Sequence, residues 1–149
     1  MSVRIGFQRP GTNRVSRLIA DHDAPRSFSH VAIFPAPDRR CDAHIDYGVR
    51  FHDFTPDVAA WVMVEFPATP DEVETVRRFL EDETGCGYDR CGVLAIAGVP
   101  LMHADPEKWF CSELTCAALQ TIGHLSDLIP HQTTPNSLYL AAKDVGTVL

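Results

Sequence analysis

Trp109-Phe110-Cys111-Ser112-Glu113-Leu114 is the stretch on which the fold turns. A segment rich in Pro, Asp and Glu runs into it. Beyond it Leu114, Ala118, Leu119 and Ile122 recur at helical spacing toward Gly123. A helix is therefore expected to open at Cys111. A thiol there lies near the positive end of the helix dipole and beside backbone N–H groups without intrahelical acceptors. Both favour the thiolate, which is the nucleophilic form. Cys116, mid-helix among apolar neighbours, reads instead as a small buried hydrophobe.

Upstream, Ser29-His30-Val31-Ala32-Ile33-Phe34 opens a β-type run with a histidine. An imidazole brought beside the thiol would accept its proton and later return it to a leaving group. The run is expected to stop at Pro35 and Pro37, turn at Asp38-Arg39-Arg40, and return from Cys41 to Ile45. Period-two alternation sets Asp42, His44 and Asp46 on one face of that return strand, with Cys41, Ala43 and Ile45 on the other. Asp42 is then a cross-strand neighbour able to hold the imidazole in the useful tautomer. His44 and Asp46 are alternatives for that orienting role.

Working further outward, Val3–Phe7 is a strand candidate, and Asn13 caps a short helix through Val15, Leu18 and Ile19. Asp21–Ser27 reads as a loop, and Tyr47–Phe51 as a strand resumed after a glycine break. Ala59–Phe66 is an apolar strand expected at the sheet centre. Thr69, Pro70 and Glu72 form a capping box ahead of the Val73, Val76, Phe79 and Leu80 stripe, with Gly85 as the stop. Val93–Ala97 fits helix or strand equally. A turn and short helix follow at Thr134–Tyr139. The strands form an antiparallel meander flanked by helices, so the class is α+β.

Length and composition keep the function classes narrow. The chain has 149 residues, 45% apolar and 22% charged, which suits one globular domain over residues 1–149 with a real core. A net charge of −7, with no basic stripe, argues against nucleic acid as partner. No apolar run is long enough for a bilayer, and no secretory h-region is seen, so a cytoplasmic location without membrane insertion is expected. Five cysteines without such a signal favour free thiols over a disulfide framework. Cys86 and Cys91 could supply half of a metal site, but no second Cys/His pair follows at ligand spacing. Neither metal nor cofactor is expected.

The histidine run, Asp42-Ala43 and Trp-Phe-Cys111-Ser-Glu-Leu together resemble the circularly permuted branch of the NlpC-type papain-like superfamily. That branch is similar in arrangement to YiiX-like bacterial hydrolases and to lecithin:retinol acyltransferase. The helix candidate before Ser29, Tyr88-Asp89 before Gly92, and Thr134-Pro135-Asn136-Ser137-Leu138 resemble further blocks, so the likeness spans about Asn13 to Tyr139. It implies a papain-like fold with Cys111 as nucleophile, His30 as base and then acid, and Asp42 as orienter. Asp departs from the His or Glu common at that third position. Tyr88 would line the substrate pocket, and the Cys111 N–H would join an oxyanion hole. Glu113 would complement the helix dipole. The implied activity is cysteine peptidase or amidase chemistry on a small peptide or acyl substrate, cell-wall peptides first. Acyl transfer, deamidation and a non-catalytic binding module are the alternatives. Cell-wall access without an export signal would call for a phage-encoded or assembly-borne protein.

Overall fold

The computed structural model describes residues 1–11, 28–96, 98, 103 and 105–149. The helix expected over Asn13–Ile19 and the loop over Asp21–Ser27 lie outside the described residues.

Among the described residues five strands come first: β1 (Ser2–Gln8), β2 (His30–Ala36), β3 (Arg39–His44), β4 (Gly48–Asp53) and β5 (Trp61–Pro67). Helix α1 (Pro70–Asp82), β6 (Gly87–Tyr88), α2 (Arg90–Ile96), β7 (Lys108–Trp109) and α3 (Cys111–Gln120) follow. A 3₁₀ turn at Pro130–Gln132, α4 (Pro135–Val145) and β8 (Thr147–Val148) complete the described chain. The class is α+β. An antiparallel six-stranded sheet has the order β4-β3-β2-β1-β5-β8, and β6 and β7 form a small parallel pair.

Alternation along the strands separates two apolar layers. Val3, Ile5, Phe7, Val31, Ile33, Cys41, Ala43, Val64 and Phe66 face the main core. The helices cover that side, with Val76 and Leu80 from α1, Leu114, Ala118 and Leu119 from α3, and Leu138 and Ala142 from α4. Ala32, Phe34 and Trp61 form a smaller cluster on the other side, with Phe54 and Met63 against it. Gly6 permits this second layer to close. A Cβ there would lie 2.8 Å from the Phe34 ring and 2.9 Å from Trp61.

Several expectations change. The Ala59–Phe66 strand begins at Trp61 and lies next to the short edge strand β8, while β1 and β2 occupy the centre. Pro35 does not stop β2, which runs through it to Ala36; the turn falls at Pro37-Asp38, and Arg39 and Arg40 already belong to β3. Position 93 and its neighbours form a helix. Helix α3 ends at Gln120, ahead of a turn in which Gly123 takes a φ of 81°. The C-terminal helix is longer than its turn signature implies. Thr134 caps it by accepting from Ser137 N–H at 3.0 Å, and its eleven residues lead into β8.

Candidate active site

Two elements distant in sequence deliver the site: the first residue of β2 and the first turn of α3. Helix α3 packs across β2 and β3. Its opening is fixed from both sides. Ser112 Oγ donates to Thr133 O at 2.6 Å, Thr115 Oγ1 donates to Cys111 O at 2.9 Å, and Leu114 N–H reaches Phe110 O at 3.0 Å. Cys111 is 4% exposed. Its own N–H belongs to the first helical turn, where no intrahelical acceptor exists.

His30 stands where the two apolar layers meet. Its neighbour Val31 enters the main core with Cys111, while Ala32 belongs to the smaller cluster. The His30 ring lies edge-on to Trp61 at 6.2 Å. Its Nε2 is 2.7 Å from Asp42 Oδ2. A carboxylate only accepts, so Nε2 carries the proton. Nδ1 is thereby left for Cys111, whose charge acts on the imidazole. Burial pulls the imidazole pKa down. The Cys111 thiolate charge, the Asp42 hydrogen bond and the Asp42 charge outweigh it and hold His30 up at about 9.

Asp42 is fully buried, with 0% exposure. Four side chains converge on it. Besides His30, Tyr47 donates its hydroxyl to Oδ1 at 3.1 Å, His52 Nε2 lies 3.3 Å from Oδ1, and Arg40 Nη2 lies 3.5 Å from Oδ2. Arg40 is itself stacked over Phe54 at 4.1 Å and Trp61 at 5.6 Å. Burial alone would raise the carboxyl. The His30 hydrogen bond, with the charges of His30, Arg40 and His52, holds it below the usual carboxylate range. The cross-strand relation is diagonal: with Ile33 opposite Cys41, Asp42 falls opposite Ala32 and two places from His30.

Of the alternatives for the orienting role, His44 lies edge-on to His30 at 6.0 Å between ring centres and stacks on Tyr47 at 4.8 Å. Asp46 is exposed and sits 3.4 Å from His44 Nδ1. Neither contacts the His30 nitrogens. Burial, with the positive charge of His30, lowers the His44 pKa.

Tyr88 pairs with Trp109 across the β6–β7 ladder, two residues before Cys111. Burial first, then the charges of Cys111 and Asp89, push its phenol well up. Its hydroxyl has no hydrogen-bond partner among the described residues. Asp89, next in sequence, accepts from Gly92 N–H and Asp105 N–H, both at 2.8 Å, so it starts α2 and ties down the segment before β7.

Tyr47 and His52 were not anticipated from sequence. The signal was present: once β3 and β4 are recognised as a hairpin, Arg40 pairs with His52 and Asp42 with Arg50, so positions 40, 42, 50 and 52 share a face. Among the described residues, no three His, Cys, Asp or Glu side chains are grouped to share a metal ion, and Cys86 and Cys91 are free thiols.

Chemically, the arrangement can shuttle one proton. A carboxylate holds Nε2–H, so Nδ1 is the basic nitrogen and can take the thiol proton. An imidazolium-thiolate pair formed this way would lie at the helix start, where first-turn N–H groups have no intrahelical acceptor. No protein-family model matches the chain, and no curated protein matches it.

Proposed function

We propose that this protein is a cysteine hydrolase that cleaves an amide bond, on a permuted NlpC-type papain-like fold. Cys111 attacks the carbonyl as thiolate while His30 holds the proton taken from it. The tetrahedral oxyanion is stabilised by the Cys111 N–H at the α3 terminus, with the unpartnered Tyr88 hydroxyl as a second donor. His30 Nδ1–H then protonates the leaving amine, giving an acyl-enzyme. Water, deprotonated by His30, resolves it, and Cys111 leaves as thiolate. Asp42 remains ionised throughout and keeps the imidazole oriented. A small peptide is the proposed substrate.

The observation that carries this reading is the His30 imidazole held by Asp42 Oδ2 at 2.7 Å and influenced by the charge of Cys111 at the start of α3. A buried carboxylate surrounded by four donors or cations is costly to assemble for stability alone. Paired with a thiol at a helix terminus, it accounts for itself as a device for keeping one imidazole basic.

The test is a panel of peptide amides and activated acyl esters, read by intact mass. A substrate-derived acyl adduct on Cys111, lost in Cys111→Ser and strongly reduced in His30→Ala, is expected. Turnover or adduct formation that survives both substitutions would refute the assignment.

A further inference from the structure

The first turn of α3 carries a second ionisable side chain that the thiol chemistry does not use. Glu113 is only 8% exposed. Its Oε2 accepts a long hydrogen bond, 3.4 Å, from Phe110 N–H. Its Oε1 has no hydrogen-bond partner among the described residues, and no Lys, Arg or His there forms an ion pair with it. Among the described residues, Arg40 Nε is the one fully enclosed side-chain polar atom left without a partner. Glu113 Oε1 is therefore not sealed in the core but meets open space.

That space is a cavity of about 460 Å³ lined by His103, Pro106, Glu113 and His131. Its walls are built. Ser112 Oγ grips Thr133 O at 2.6 Å, and Thr133 Oγ1 reaches Ile129 O at 2.8 Å, which anchors the 3₁₀ turn carrying His131. Asp89 fixes Asp105 through the backbone at 2.8 Å, and Asp105 accepts from Glu107 N–H at 3.0 Å, which holds Pro106 between them. Lys108 Nζ, the nearest lysine in sequence, is committed to Asp105 at 2.7 Å.

Among the described residues no side-chain cation pairs with Glu113. Burial, only partly offset by the Phe110 N–H and reinforced by the Asp89 charge, pushes Glu113 up to about 7. An unpaired buried carboxylate is destabilising and invites a partner. An anion would meet Glu113 and Asp89 with the wrong sign. A metal ion lacks a third ligand among the described residues. A neutral polar ligand would leave the carboxylate charge uncompensated. A cation with several N–H donors meets every requirement.

We propose that this cavity is a binding site for a primary ammonium group. Glu113 Oε1 accepts one N–H, the His103 and His131 imidazoles offer flanking acceptors, and the alkyl stem lies against Pro106. Side-chain amines and peptide N-termini share this chemistry.

The experiment is a titration of the intact protein, followed by backbone amide resonances and calorimetry. n-Butylamine stands for a side-chain amine, glycinamide for an N-terminal one, and n-butanol for the stem without the charge. At about pH 8, saturable binding of at least one amine that shifts Phe110 and His131, with none by n-butanol, is expected. Glu113→Gln should weaken it at least about tenfold. Should that variant misfold, the wild type decides. Its amine affinity should fall about tenfold between about pH 8 and about pH 6, as Glu113 gains a proton. Among the described residues Asp89 is the other charged group acting on Glu113, and its carboxylate is engaged with Gly92 N–H and Asp105 N–H. Absence of saturable binding, equal binding of n-butanol, or affinity independent of pH and of Glu113 would overturn the proposal. Binding is read without turnover, so its failure leaves the Cys111 chemistry untouched.

Discussion

At the scale of single residues, Asp42 organises the site. Its Oδ2 fixes the His30 proton and its Oδ1 takes the Tyr47 hydroxyl. Tyr47→Phe removes that donor and leaves a buried carboxylate less satisfied, at a cost of roughly 1–2 kcal/mol. The pH dependence has a definite sign. The folded pKa of Asp42 lies below its unfolded value, so its contribution to stability is present above about pH 4 and is lost as pH falls through the folded value. Removing the Tyr47 donor raises the folded value, so the acid-unfolding midpoint of Tyr47→Phe should move to higher pH. An unchanged midpoint in circular dichroism would show that the hydroxyl does not support Asp42. His30 offers a second handle. Its imidazole titrates at about 9, and after burial the Cys111 charge is the largest influence on it. Cys111→Ser should lower the His30 titration seen by NMR by more than about one pH unit. A value that stays put would mean that sulfur and imidazole do not share a proton.

Among elements, the β3–β4 hairpin and the α3 terminus hold these residues in place. Gly48 opens β4 with a φ of 71°, and a Cβ there would collide with the carbonyl oxygen of Cys86. The contact is close because Val49 N–H donates to Cys86 O and Gly85 N–H to Val49 O, both at 2.9 Å. Gly48→Ala combines a left-handed backbone with a collision against main chain, so a loss of about 2–3 kcal/mol is expected in denaturant unfolding. A near-neutral result would show that the Cys86 strap yields freely. Sequence disclosed these elements unevenly. The capping box at Thr69 and Glu72 appears as read, with Thr69 N–H donating to Glu72 Oε2 at 2.7 Å, because capping is local. Alternation likewise set Asp42 opposite Cys41 and Ala43. The register shift in the β2–β3 ladder has no local signature. Tyr47 and His52 escape a reading in which Tyr47–Phe51 merely resumes the strand after a glycine break, because their place beside Asp42 depends on the β3–β4 pairing. The position of β5 escapes for a similar reason: apolar content marks burial and not rank in the sheet, and β2, β3 and β4 all add on the far side of β1, leaving only the short strand β8 beyond β5.

For the whole molecule, the account rests on two layers meeting at one end of β2. His30 reaches that meeting point from the sheet and Cys111 from the helix, eighty-one residues apart in sequence. The cysteines report this organisation directly. All five are free. Burial raises the Cys41 thiol to about 12 and the Cys116 thiol to about 11, while Cys91 is exposed. Native protein treated with iodoacetamide should therefore leave Cys41 and Cys116 unmodified, and denatured protein should react at all five; modification of either core thiol in the native state would contradict the packing. The most direct measurement is the rate at which Cys111 itself is alkylated near neutral pH, followed by peptide mass with Cys91 as internal standard. The account predicts that Cys111, although only 4% exposed, reacts faster than Cys91. It further predicts that His30→Ala slows Cys111 by at least about tenfold while Cys91 is unchanged. Equal Cys111 rates in wild type and His30→Ala, with both proteins folded, would contradict it.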